Sequence, residues 1–303
     1  MTAPPSQSER RCVIAISSNK GGVGKTTLAT NLAIYIRALR EDLPVLVVSL
    51  DDQRTVDRMF ALRDPMPGDP NLKHGWAERS LTSAIQVGEY GVHFVPAPPD
   101  VAMLKSRAED PRTLASILAQ TEWPGLVILD TKSDLEALTQ NAYYASDRVL
   151  VPVADAASLE EAAKVFRLLE RQDQHADRGR VVFTLVDRRT KVASGETHLF
   201  RRLIDETARR GWPYYKTHLS RSPRVEALNS GSGRPLAILH HAKGTAAHAQ
   251  MRDLALEVLY DLDLSERLPA LEASAGPDEL WGAPAALGPV RTGSDRRLPW
   301  RRR

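Results

Sequence analysis

Lys20-Gly21-Gly22-Val23-Gly24-Lys25-Thr26-Thr27 follows an apolar run, Cys12-Val13-Ile14-Ala15-Ile16, and leads into an amphipathic stretch from Leu28 to Leu39. The order is strand, glycine-rich loop, helix, which is the local frame a polyphosphate cradle requires. Glycines at 21, 22 and 24 let backbone amides crowd an anion with no Cβ in the way, and the helix N-terminus adds partial positive charge. In this frame Lys25 reaches the β- and γ-phosphates of a nucleotide and Thr26 offers its hydroxyl to Mg2+. Gly21, Gly22, Val23, Gly24, Lys25, Thr26 and Thr27 form the expected nucleotide-binding set. A glycine-rich loop alone is a weak signal; eight positions in this context are a specific one.

Outward from the loop, strand and helix patterns alternate, which predicts an α/β fold with a doubly wound, mostly parallel sheet flanked by helices. Strands are expected at Val13–Ser17, Val45–Leu50, Val92–Pro96, Leu126–Asp130, Val149–Val153 and Val181–Val186, with a short one near Tyr215–Leu219. Several are unbroken apolar runs, as strands covered on both faces must be. Helices are expected at Thr26–Leu39, Val101–Ala119, Leu135–Ala145, Leu159–Gln172, Thr197–Arg210 and Gly244–Leu262. Residues 63–80, dense in proline and glycine, read as an irregular loop. The pattern gives one domain over 12–265, a disordered N-terminus over 1–11 and a Pro/Ala/Gly-rich, arginine-ended, disordered tail over 266–303.

A chain of 303 residues with 42% hydrophobic content has room for one large soluble domain. No apolar stretch approaches the roughly 20 residues needed to span a bilayer, and the opening residues lack an apolar export core. The single cysteine, Cys12, excludes the paired cysteines of an iron–sulfur centre, and a cytoplasmic setting is expected. Charge is segregated. Between Arg178 and Lys243 stand 14 lysines and arginines against 5 acidic residues, and the last thirteen residues carry six arginines and one aspartate. A basic face for a polyanion produces such a pattern, and so do solvated helix surfaces.

Two further carboxylates stand where open α/β sheets bind ligands, just past a strand's C-terminal edge. The second strand ends Ser49-Leu50-Asp51-Asp52-Gln53, and the fourth, Leu126-Val127-Ile128-Leu129-Asp130, is an apolar run closed by an aspartate. A carboxylate at Asp130 is placed to hold Mg2+ opposite Thr26.

Position 19, where the commonest phosphate loop has its first glycine, is Asn19, and a second lysine stands at Lys20. This K-G-G-x-G-K-S/T-T form resembles the deviant Walker A loop of the ParA/MinD family of ATPases, a branch of the P-loop NTPases. The resemblance implies an ATP-bound homodimer in which Lys20 of each subunit touches the other's nucleotide. It gives Lys20, Lys25 and Asp51 catalytic roles, Asp51 orienting the attacking water. Asp130 corresponds to Walker B. Two segments depart from the pattern. Where the family commonly reads D-x-D-P-Q, this chain has Ser49 and Asp52 in place of the first aspartate and the proline. Where it reads D-x-P-P, Lys132-Ser133 replace the prolines. Hydrolysis and switching are the properties these departures touch.

The likeness continues through Leu138-Thr139-Gln140-Asn141-Ala142 and Ala145 to Val153. Asp187-Arg188-Arg189-Thr190 and Arg221-Ser222-Pro223-Arg224 then resemble DNA-contacting segments of partitioning ParA proteins. The resemblance implies non-specific DNA binding through Arg189, Arg221 and Arg224, nucleoid association, and slow turnover stimulated by a ParB-like adaptor. A MinD-like membrane-cycling ATPase is the main alternative, although the tail offers only Leu298 and Trp300 among arginines as an anchor. A metabolic P-loop enzyme such as dethiobiotin synthetase is a third. The cargo is not legible.

Overall fold

The apolar runs become strands of a single seven-stranded sheet in the computed structural model, which describes residues 11–173, 176–187, 199–230 and 233–265. The strands are β1 (Cys12–Ile16), β2 (Val45–Ser49), β3 (Gln86–Val87), β4 (His93–Val95), β5 (Leu126–Asp130), β6 (Arg148–Val153) and β7 (Gly179–Phe183). Their order is β3-β4-β2-β5-β1-β6-β7, and every pairing is parallel except β3 with β4. Alternate residues of each strand face opposite cores, which is why the runs are apolar throughout. Val13, Ala15, Val127 and Leu129 point to one, and Cys12, Ile14, Ile16 and Ile128 to the other.

The second of these faces is covered by helices α1 (Lys25–Leu39) and α2 (Thr55–Phe60). Opposite them lie α3 (Leu72–Glu78), α4 (Thr113–Gln120), α5 (Ala137–Ala145), α6 (Ala156–Asp173) and α7 (Leu199–Arg209). After α8 (Pro223–Ser230), α9 (Ile238–His241) and α10 (Ala246–Asp261) return to the side of α1. Among the described residues no helix is long and apolar enough to cross a membrane.

Three expectations need correction, and one strand adds to them. The stretch 63–80 is not irregular throughout. Asn71 caps α3, its side chain accepting from the Lys73 amide while His74 receives the Asn71 amide, and Leu72 and Trp76, four residues apart, seal it to the core. The single helix expected over Val101–Ala119 is a 3-10 segment, Val101–Arg107, followed by α4. Pro111 explains the break, because the residue before a proline avoids helical dihedrals. The segment at Tyr215–Leu219 forms no strand and touches the sheet through isolated bridges at Tyr214 and Ser220. The antiparallel edge strand β3 was not expected. Residues 1–10, 266–303 and Arg189 lie outside the described residues, while Arg11 donates through Nε to the Trp123 carbonyl at 3.2 Å.

Candidate nucleotide-binding site

β1 lies between β5 and β6, and β5 lies between β1 and β2. In register Ile16 pairs with Asp130, and Asp130 with Ser49, so three strands end at one level. The glycine-rich loop rises from the middle of that edge. Gly22 and Gly24 sit at φ +77° and +87°, a region that side-chain-bearing residues enter at a cost, and Gly24 is the N-cap of α1. Lys25 folds back over its own loop. Its Nζ donates to the Lys20 carbonyl at 3.1 Å and reaches the Ser133 hydroxyl. Burial lowers the pKa of this ammonium, against the pull of Asp130, Asp51 and Asp134. The Val23 carbonyl accepts a hydrogen bond from Thr184 Oγ1 at 2.9 Å, fixing the loop to the end of β7.

Asp130 is fully buried, and neither carboxylate oxygen has a hydrogen-bond partner. Burial pushes its pKa up to about 7, with the nearby Thr26 hydroxyl and Lys25 ammonium acting in the opposite sense. Bare buried carboxylate oxygens beside a helical threonine hydroxyl suit a hard divalent cation. Among the described residues no cluster of three acidic, histidine or cysteine side chains could hold an ion by itself. Mg2+, which keeps waters and takes substrate phosphates as ligands, fits such a sparse donor set.

Asp51 lies two residues beyond β2 and is nearly buried. Its Oδ1 accepts from the Gln53 amide at 3.2 Å. Burial raises its pKa, as does the hydrogen bond it shares with Asp52, while the Gln53 amide lowers it. Ser49, in the place of an aspartate, shapes the turn: its Oγ accepts from the Asp51 amide and donates to the Asp51 carbonyl, both at 3.3 Å.

Lys20 does not point at its own loop's contents. Its Nζ pairs with Asp155 at 2.6 and 2.8 Å. Asp155 also accepts from the Ser158 amide at 2.7 Å at the start of α6. Burial works to raise the Asp155 pKa, but the Lys20 ammonium and Ser158 outweigh it and hold the carboxyl below its ordinary range.

The fold thus gathers Gly21 to Thr27, Asp51 and Asp130 at one edge. Of the two described arginines expected at DNA, Arg221 borders a cavity that the loop also lines and Arg224 does not. Arg221 pairs with Glu226 at 2.9 Å, and Arg224 Nε donates to the His241 carbonyl at 3.0 Å. Sequence reasoning missed a cavity of about 460 Å3 beside the loop, lined among others by Gly24, Leu28, Thr184, Leu185, Leu219 and Met251, with Arg221 on its wall. Its apolar walls and position next to the phosphate loop suit a flat heteroaromatic base. Leu185 sits there at φ +52°, and no local sequence signal announces a left-handed leucine.

An ammonium lying over a glycine-rich turn, with a bare carboxylate buried nearby, defines a nucleoside-triphosphate site of the P-loop class. Residues 11–178 match the family described as AAA domain (AAA_31), and the chain belongs to that family as a ParA-type ATPase. The chromosome-partitioning ATPase Soj of Thermus thermophilus is 37% identical over 159 residues, which are 52% of this chain and 61% of that relative. The chromosome partitioning protein ParA of Caulobacter vibrioides is 28% identical over 268 residues, 82% of this chain and 93% of that one. Cobyrinic acid a,c-diamide synthase of Mycobacterium smegmatis, solved with ADP and magnesium, shares the fold at TM-score 0.65 and 20% identity, over 86% of this chain and 98% of that one.

Proposed function

We propose that this chain is an ATP-dependent, dimerising positioning ATPase that binds DNA without sequence preference and moves a cargo with an adaptor of the ParB kind. The bare, buried Asp130 carboxylate beside Thr26 carries the reading. Thr26 and Asp130 would hold Mg2+, whose charge offsets that of the phosphates. Lys25 and the amides of residues 21–27 hold the phosphates, and Asp51 orients water for in-line attack. Lys20 leaves Asp155 and reaches the partner subunit's nucleotide. Hydrolysis is slow until the adaptor arrives, and it releases the dimer from DNA. The setting is the cytoplasm, on the nucleoid. Similarity to Soj and ParA relatives supports this reading over a metabolic one.

DNA contact is assigned to Arg189, Arg221 and Arg224, guanidinium groups on phosphates with counterion release supplying the affinity. Co-sedimentation with DNA and with anionic liposomes, each with ATP or ADP, tests the whole. The expected result is ATP-dependent retention on DNA. In the Arg221→Ala/Arg224→Ala variant the slope of log affinity against log salt falls by about 0.9 per lost contact. Retention on liposomes instead of DNA would replace this reading with a membrane-cycling one.

The Lys20–Asp155 pair gives a second expectation. Asp155→Asn keeps an oxygen for the Ser158 amide but surrenders the charge that holds Lys20. A partly exposed ion pair of this kind is worth up to ~1 kcal/mol, so the variant dimerises at about two- to fivefold lower ATP. Sedimentation velocity across an ATP titration measures it; an unchanged midpoint would mean that the pair does not compete with dimerisation.

A further inference from the structure

We propose that Asp52 and Lys132 act together as a positioning pair for Asp51, joining the two loops that flank the phosphate site. Asp52 follows β2 and Lys132 follows β5, 80 residues apart in sequence, and Lys132 Nζ meets Asp52 Oδ2 at 2.9 Å. The inference rests on the reading of Asp51 as the water-orienting carboxylate.

Both residues are departures from the resemblance set out above, at places where relatives commonly carry proline. A proline stiffens its loop covalently through a fixed φ. Here two loops without those prolines are joined to each other through space by opposite charges. Asp52 alone would set a second negative charge next to Asp51, and Lys132 offsets it.

The two sides of the pair are unequally supported. The loop carrying Lys132 is stitched down. Asp134 Oδ1 accepts from Thr139 Oγ1 at 2.9 Å and from the Glu136 amide at 3.1 Å, Lys105 pairs with Glu136, and Ser133 touches Lys25. The turn carrying Asp51 is held from within by long hydrogen bonds, Ser49 Oγ with the Asp51 amide and carbonyl at 3.3 Å and the Gln53 amide to Asp51 Oδ1 at 3.2 Å. The last backbone hydrogen bond tying it to β5 is Leu50 N to the Asp130 carbonyl at 2.8 Å. Three residues after Asp51, Arg54 stands at φ +55°, a conformation that costs a non-glycine residue energy. A strained turn holding a reacting-water ligand gains from an outside tether, and Lys132 supplies it from the stiff side.

The pair is partly exposed, at 43% for Lys132 and 44% for Asp52. Such pairs contribute little to folding, so the consequence falls on placement rather than stability. Small misplacements of a catalytic group carry large rate penalties.

The experiment measures ATP turnover, affinity for a fluorescent ATP analogue and melting temperature on the full chain. Asp52→Ala and Lys132→Ala each lower kcat about tenfold, with the melting temperature unmoved. The double variant is no slower than either single one. Exchanging the charges, Asp52→Lys with Lys132→Asp, recovers most of the lost kcat. Unchanged kcat with KM moving in opposite directions in the two single variants would overturn the proposal, reducing the pair to a charge balance. Losses that multiply in the double variant would overturn it equally. Turnover surviving Asp51→Ala would remove the role of Asp51 itself, and the positioning role with it.

Discussion

Lys25→Ala is expected to lose MgATP binding by on the order of 100-fold or more and to bring turnover to background. The side chain is 7% exposed, folded over the loop against the Lys20 carbonyl. It is the ammonium that faces Asp130, Asp51 and Asp134 at this edge of the sheet. Without it, a polyphosphate entering the loop would meet those carboxylates with backbone dipoles in return and the remaining ammonium groups, Lys20 and Lys132, engaged by Asp155 and Asp52. Burial already lowers the pKa of this lysine, so the unliganded protein gains little from its charge. The variant should therefore stay folded while failing to bind. Calorimetric titration with MgATP beside a thermal melt separates these outcomes, and near-normal affinity would remove the site assignment.

Asp130→Asn is expected to reverse its effect on stability depending on what is bound. The folded-state carboxyl titrates at about 7, above its ordinary value of 3.8. The folded protein therefore keeps a proton that the unfolded chain has released. Stability falls as pH rises from about 4 towards about 7, and the full cost, of a few kcal/mol, persists above that. Asparagine has nearly the same shape and pays no ionisation cost. At pH 8 without nucleotide the variant should melt about 5 °C or more above the parent. With Mg2+ and ATP the order reverses, because the parent gains a charge partner for Asp130 and the variant does not. Melting curves at pH 5 and pH 8, with and without MgATP, read all four corners. A variant less stable alone at pH 8, or one stabilised by MgATP as strongly as the parent, would contradict the metal-facing role.

Much of this site was legible before any coordinates because its determinants are local. A phosphate loop is eight consecutive residues, and Asp130 closes an unbroken apolar strand. Asp51 follows a strand end, and parallel register sets Asp130 level with Ile16 and with Ser49, two residues before Asp51. What stayed hidden arises from residues meeting across long separations. The cavity beside the loop is assembled from Gly24, Thr184, Leu219 and Met251, which share no motif. The bond between Lys20 and Asp155 joins a loop to a helix start 135 residues away. The Asp52 and Lys132 departures read separately as two puzzles until their side chains are seen to touch. α3 was lost for the opposite reason: Pro67, Gly68 and Pro70 dominate the local signal, and the two core anchors that make the helix carry weight only once a core exists.

Leu185, in its left-handed backbone, inverts the usual ranking of replacements. Glycine, ordinarily a disruptive exchange for leucine, would relax the chain there. Valine or isoleucine, the swaps that chemical resemblance calls harmless, would suffer most, since a branched β-carbon crowds that twist. The aliphatic wall beside the phosphates is thereby barred from the commonest conservative drift.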